Sequence, residues 1–213
     1  MRRITTVLGT IPSPELGFCQ SHEHLSIAKG YPAAVYPDQC IDDRGKSVEE
    51  LALYRRAGGE ALVDAQPLGC GRDAVILRKI SEQSGVRIIA STGFHKMIFY
   101  PQGHWIYSIN ADDLTEIYTA ELTRGMFTDG DNKYPETQSS IRSGQIKAAL
   151  DGGEFSLQYE KLFSAAAEAA KVTGAALMVH VEKGSDPIAL SDFLLRRGVS
   201  LDRVIFCHMD RMV

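Results

Sequence analysis

Short apolar runs alternate with helix-length segments along most of the chain, and this alternation limits the possible folds more than any other feature. The runs at 17–22, 60–65, 86–91, 143–149, 176–180 and 204–208 are rich in branched and small apolar residues. Between them lie segments with helical patterning at 47–57, 73–84, 112–123, 157–173 and 186–197. Ser47-Val48-Glu49-Glu50 reads as a capping box, while Gly58-Gly59 and Gly85 read as helix stops. Ahead of the first run, residues 4–8 and the turn at 9–12 predict a small strand. Strands separated by helices of this length are the pattern of parallel βαβ units.

Two α/β architectures compete. No Gly-x-Gly-x-x-Gly follows the first core strand and no Walker-type Gly-Lys-Ser/Thr occurs, so the nucleotide-binding doubly wound sheets lose their usual support. The remaining choice is a (β/α)8 TIM barrel formed as one domain over residues 1–213. Such a barrel typically needs about 250 residues, and this chain stops five residues after its sixth strand. A barrel truncated after the sixth strand, with two open parallel edges, is the expectation.

Composition narrows the function classes. With 44% hydrophobic and 23% charged residues, the 213-residue chain can bury one sizeable core. A net charge of -4 argues against a nucleic-acid partner. The four cysteines Cys19, Cys40, Cys70 and Cys207 lack any short pairing, which suggests reduced thiols and a cytoplasmic setting. The N-terminal apolar stretch is broken by Thr5, Thr6, Gly9 and Pro12, too short for a signal peptide or membrane span.

Several histidines sit where a parallel barrel exposes its chemistry. Ser21-His22-Glu23-His24 closes the first core strand, and residues two apart on a strand share a face, so His22 and His24 can aim two imidazoles at one point. His180 ends one later apolar run and His208 another. Four histidines converging from three strands suit zinc and similar divalent ions. Lys147 lies inside the apolar run Gln145-Ile146-Lys147-Ala148-Ala149, where an ammonium is costly unless paired or neutral. A salt bridge is one reading; a neutral amine that reacts with carbon dioxide to give a metal-bridging carbamate is the other.

The combination of Ser21-His22-Glu23-His24, Gly58-Gly59, Val63-Asp64-Ala65, Gly71-Arg72, Gly93-Phe94, Gly144-Gln145-Ile146-Lys147, His180 and His208-Met209-Asp210-Arg211 resembles the phosphotriesterase-like branch of the amidohydrolase superfamily. The wording Gly93-Phe94-His95-Lys96 with His208-Met209-Asp210-Arg211 is most similar to its phosphofuranose lactonase subgroup. The resemblance implies a binuclear centre of two divalent ions, zinc first with Mn, Co or Fe as alternatives. His22 and His24 would hold the more buried ion, His180 and His208 the more exposed one, and carboxylated Lys147 would bridge both. The family's eighth-strand aspartate, which also shuttles the proton, has no counterpart here. The implied chemistry is hydrolysis of a lactone, ester or phosphotriester by a metal-bridged hydroxide, with a small molecule as substrate and a homodimer as a common assembly.

Around that centre, Arg72, Lys96 and Arg211 are candidate substrate-binding cations, with solvated surface charge as the alternative. Glu182 and Asp210, each two residues past a ligand histidine, are candidates to orient ligands, or ordinary loop carboxylates. The aromatic segment with Tyr100, Trp105 and Tyr107 reads as a loop serving as a lid or an oligomer contact, and His95 and His104 receive no role. Two other functions remain open: a metal-dependent deoxyribonuclease of a related barrel type, against which Lys147 and the acidic charge count, and a truncated homologue that binds metal without catalysis.

Overall fold

The structure, a computed structural model, describes residues 2–153 and 155–212. The chain opens with an antiparallel hairpin, β1 (Arg3–Thr6) and β2 (Gly9–Pro12), in which Arg3 faces Pro12 and Thr6 faces Gly9. The sequence reading anticipated one strand here. The second arm forms because Gly9 adopts φ 122° and Thr6 Oγ1 donates to the Gly9 carbonyl at 2.8 Å, closing the turn.

The barrel strands follow as β3 (Cys19–Glu23), β4 (Ala61–Asp64), β5 (Arg87–Ile89), β6 (Ser91–Gly93), β7 (Gln145–Leu150), β8 (Leu177–Val181) and β9 (Val204–Cys207). All their pairings are parallel, in the orders β3-β4-β5 and β6-β7-β8-β9. β5 and β6 flank Ala90 in one extended passage, so the expected third strand is a single track that passes from one sheet to the other. The six tracks curl: the His22 ring at the end of the first lies 5.0 Å from the His208 ring after the last.

Seven helices connect these strands among the described residues: α1 (Tyr31–Val35), α2 (Arg44–Arg56), α3 (Ala74–Ser84), α4 (Trp105–Ser108), α5 (Ala111–Thr123), α6 (Leu157–Thr173) and α7 (Pro187–Arg196). Side-chain caps set most of their starts. Asp73, Asn110 and Asp186 accept from the backbone N–H groups of Ile76, Asp113 and Ala189 at 2.9, 2.8 and 2.9 Å. α2 begins three residues before the expected capping box. Asp43 caps it by accepting from Lys46 N at 3.2 Å, whereas Ser47 Oγ donates to the Leu25 carbonyl at 2.9 Å and ties the helix to the chain leaving β3.

The core lies mainly between helices and sheet. On α6, Leu162, Phe163, Ala166 and Ala169 are fully buried in one cluster with Ile146, Leu177 and Val179. A smaller cluster of Val63, Ala65, Ile89 and Met178 lies below the strand ends. The aromatic segment after β6 is core rather than lid: Tyr100 is 2% and Trp105 9% exposed, and Trp105 Nε1 donates to the Gly130 carbonyl at 2.7 Å. Tyr107 alone of the three is exposed, because α4 turns it outward. No helix among the described residues is long and apolar enough to cross a membrane.

Candidate metal centre

The strand ends converge on Lys147. This residue is fully buried in the middle of β7, its Nζ 3.3 Å from His22 Nε2, with no carboxylate within ion-pair reach among the described residues. Burial lowers its pKa to about 8, which brings the neutral amine within reach of ordinary pH. The neighbouring strand approaches closely because Gly93 has φ 102° and a Cβ there would run into the Lys147 carbonyl. That carbonyl instead accepts from Phe94 N at 2.9 Å.

Four histidines ring the lysine. His22 lies near the end of β3 and His24 just past it, with ring centroids 5.7 Å apart; Glu23 points away and accepts from Gln20 Nε2 at 2.8 Å. His180 on β8 lies 4.7 Å from His208, which follows β9. His208 has φ 63°, the only left-handed non-glycine backbone among the described residues. Such strain costs on the order of 1–3 kcal/mol and persists where surrounding structure over-determines it.

Electrostatics hold these imidazoles neutral. Burial and then the Lys147 charge push His22 down to about 3, and His24 and His180 to about 4. His208 is lowered by burial and then by Arg211. Neutral imidazole is the metal-ligating form. The buried His24 Nδ1 has no hydrogen-bond partner among the described residues, a cost of about 1–3 kcal/mol that a Lewis acid or donor would relieve. This donor set fits divalent ions of the zinc type. Among the described residues no three His, Cys, Asp or Glu side chains already surround one point, and the fourth-strand donor is an amine that ligates through oxygen only once carboxylated.

Two residues without an assigned role in the sequence reading, Asp64 and His95, belong to the site, and a third, His104, does not. Asp64, at the end of β4, is fully buried; its carboxylate accepts from Leu25 N at 2.8 Å and Gln66 N at 3.0 Å and so anchors the backbone directly after His24. Burial raises its pKa to about 7 against the pull of those two N–H groups. An aspartate closing an apolar run was the signal that could have found it. His95 is 9% exposed, its ring 5.8 Å from His180 and 6.3 Å from His24. Its Nδ1 accepts from Lys96 N at 2.8 Å, so in the neutral ring Nε2 carries the proton, and the residue lines the same cavity as His22, His24, His180 and His208. His104 is structural: its Nδ1 accepts from Ile106 N at 3.2 Å at the start of α4.

The expected substrate cations separate. Lys96 and Arg211 line the same cavity of about 510 Å³ as the histidines. Lys96 Nζ is held 2.7 Å from Glu182 Oε2, and that oxygen is 3.4 Å from His180 Nε2. Asp210 is exposed on the 3-10 turn Met209–Met212. Arg72 is a correction: it does not reach the cavity. Its guanidinium forms two 2.7 Å bonds to Glu121 on α5 and donates to the carbonyls of Ser91 and Phe127 at 3.0 and 2.8 Å. Arg72 lies in the loop between β4 and α3, where its buried side chain meets the buried Glu121 carboxylate instead of solvent. A larger hollow of about 620 Å³ lies beside β3 and is lined by Glu23, Lys46 and Tyr54; of the histidines only His24 reaches it.

Known proteins are similar to this chain in sequence and in fold. The model of the phosphotriesterase family matches residues 2–213. A phospho-furanose lactonase of Mycoplasmopsis agalactiae is 27% identical, over 98% of this chain and 60% of that protein. An amidohydrolase structure from Mycoplasma synoviae superposes with a TM-score of 0.92 at 26% identity, covering 99% of this chain and 61% of that one. A lactonase from Listeria monocytogenes, at 24% identity and a TM-score of 0.85, shares the fold over 99% of this chain and 66% of its own. The chain therefore spans about 60% of the length of the curated relatives it matches. The match extends through every strand end that carries a histidine of the cluster, from the hairpin to the turn beyond β9, and the chain belongs to the phosphotriesterase family.

Proposed function

We propose that this chain carries the greater part of the active site of a metal-dependent hydrolase that opens lactones, phosphorylated sugar lactones among them, or cleaves related ester and phosphotriester bonds. The observation that carries the reading is the gathering of four neutral histidines from three strand ends around one buried lysine. The similarity to a phospho-furanose lactonase supports the choice of substrate class. Lys147 speaks against the deoxyribonuclease alternative, in which a glutamate is expected at this strand.

His22 and His24 would hold one divalent ion, His180 and His208 a second, and Lys147, carboxylated by carbon dioxide, would bridge them. Zinc suits these donors best, with Mn, Co and Fe as alternatives. Such ions supply Lewis-acid polarisation of the scissile group and a nucleophile at neutral pH. The chain's own residues do the rest. Asp64 fixes the backbone that aims His24, and burial keeps the imidazoles unprotonated. Lys96 and Arg211 are the cations within the cavity for an anionic group of a small-molecule substrate. The free thiols Cys19, Cys40, Cys70 and Cys207 agree with a cytoplasmic setting.

Elemental analysis of protein produced with zinc or manganese and bicarbonate tests this reading, with Lys147→Ala as control. The expected result is about two ions per chain, falling sharply in the control, together with turnover in a lactone and phosphotriester panel. A folded chain that binds no metal would overturn it.

A further inference from the structure

The cavity's better-buried cation is already taken. Lys96 Nζ lies 2.7 Å from Glu182 Oε2, with side chains 15% and 33% exposed, so this pair is far less screened than an open surface bridge. Glu182 is built into place: its backbone N–H donates to the Leu150 carbonyl at 3.0 Å, and its Oε1 accepts from Lys183 N at 3.2 Å. Its other oxygen serves both Lys96 and, at 3.4 Å, His180. Lys96 is held equally well, with Nζ 5.8 Å from the Phe99 ring and its backbone N–H on His95. Two strand ends thus deliver opposite charges into the space where a substrate must sit.

We infer that Glu182 is a specificity-determining residue that competes with the substrate's anionic group for Lys96. An incoming phosphate or carboxylate exchanges partners with the Glu182 carboxylate, and a neutral substrate leaves the pair intact. The free chain thereby avoids presenting an unpaired, partly buried ammonium, while the affinity for anions is held below what Lys96 and Arg211 could provide. The inference rests on the hydrolase reading only in taking this cavity as the substrate site; the exchange itself needs no turnover.

Calorimetric titration of the 213-residue chain with inorganic phosphate at neutral pH tests it, comparing the wild type with Glu182→Gln, Lys96→Met and the double variant. Removing one negative charge a few ångströms from the anion should tighten phosphate binding by roughly tenfold in Glu182→Gln. Lys96→Met should bind more weakly than the wild type, and the double variant should gain less than about threefold over Lys96→Met. Glu182→Asp, which keeps the charge but withdraws it from Lys96, should also gain, and serves if the amide lowers the melting temperature. Equal or weaker phosphate binding in both Glu182 variants, a full gain without Lys96, or no phosphate binding by any variant would overturn the inference. Lactone turnover is read separately: its absence with tighter phosphate binding refutes the hydrolase reading alone, and turnover with unchanged phosphate affinity refutes the exchange alone.

Discussion

Replacing Arg72 with methionine separates a structural cation from a substrate-binding one. Its side chain is 1% exposed and that of Glu121 0%, and the two share a pair of 2.7 Å bonds. Glu121 Oε1 also accepts from Phe127 N at 2.7 Å, the one further partner its carboxylate would keep among the described residues. In Arg72→Met the carboxylate stays buried with that single N–H, and the carbonyls of Ser91 and Phe127 lose a donor. Breaking a buried pair from one side costs about 3–5 kcal/mol, a large share of the roughly 5–15 kcal/mol that stabilises a domain. Urea unfolding measures the loss, and the single tryptophan, Trp105, buried against the Gly130 carbonyl, supplies the fluorescence signal. Arg72→Met combined with Glu121→Leu should recover most of the stability, because no charge is then left unpaired. An Arg72→Met protein within about 1 kcal/mol of the wild type, with a raised KM, would refute the assignment and return Arg72 to the substrate.

Other expectations follow from the same geometry. In chelator, stability should fall as pH drops from about 6.5 toward 4, because His22, His24 and His180 stay neutral in the fold but take up protons when unfolded. Asp64, with its pKa raised to about 7, acts in the opposite sense between its unfolded value and 7, but it is one group against three; a urea midpoint that rises on acidification would contradict this. Lys147→Met should abolish stoichiometric metal binding while raising the stability of the metal-free chain by about 1–3 kcal/mol, since a buried amine whose charge is disfavoured gives way to an apolar side chain; metal analysis beside urea unfolding checks both halves. Gly93→Ala should cost at least about 3 kcal/mol and metal content as well, as the new Cβ meets the Lys147 carbonyl at a positive φ. Asp64→Ala, stripped of both backbone acceptances, should lose about 1–3 kcal/mol and weaken the first equivalent of metal more than the second; equal weakening of both would refute its role in aiming His24.

Much of this protein is legible in the linear chain because the relevant forces are local. The apolar stripe of α6 occupies 157–173 as the periodicity predicts, since helical spacing and its Ser156 and Gly174 ends lie within a few residues of one another. The histidines fall at strand ends for a related reason: an apolar run that stops at a polar residue marks where the chain leaves the core. The cap of α2 was misread because Asp43 and Ser47 are both good caps, and only the position of the Leu25 carbonyl decides which is used.

What the chain order does not carry is pairing across distance. Arg72 and Glu121 are separated by 49 residues, and neither sequence neighbourhood announces a buried ion pair. Lys96 and Glu182 stand 86 residues apart and Asp64 and Leu25 39, and their roles exist only once the strands curl. The lid suggested by Tyr100 and Trp105 turned inward because the Gly130 and Leu68 carbonyls lay within reach of their polar ends. Composition and periodicity thus determined which segments form strands and helices and which residues could ligate a metal. The tertiary structure alone decided which charges are satisfied inside the protein and which remain for a ligand, because that depends on distances between segments that no local pattern encodes.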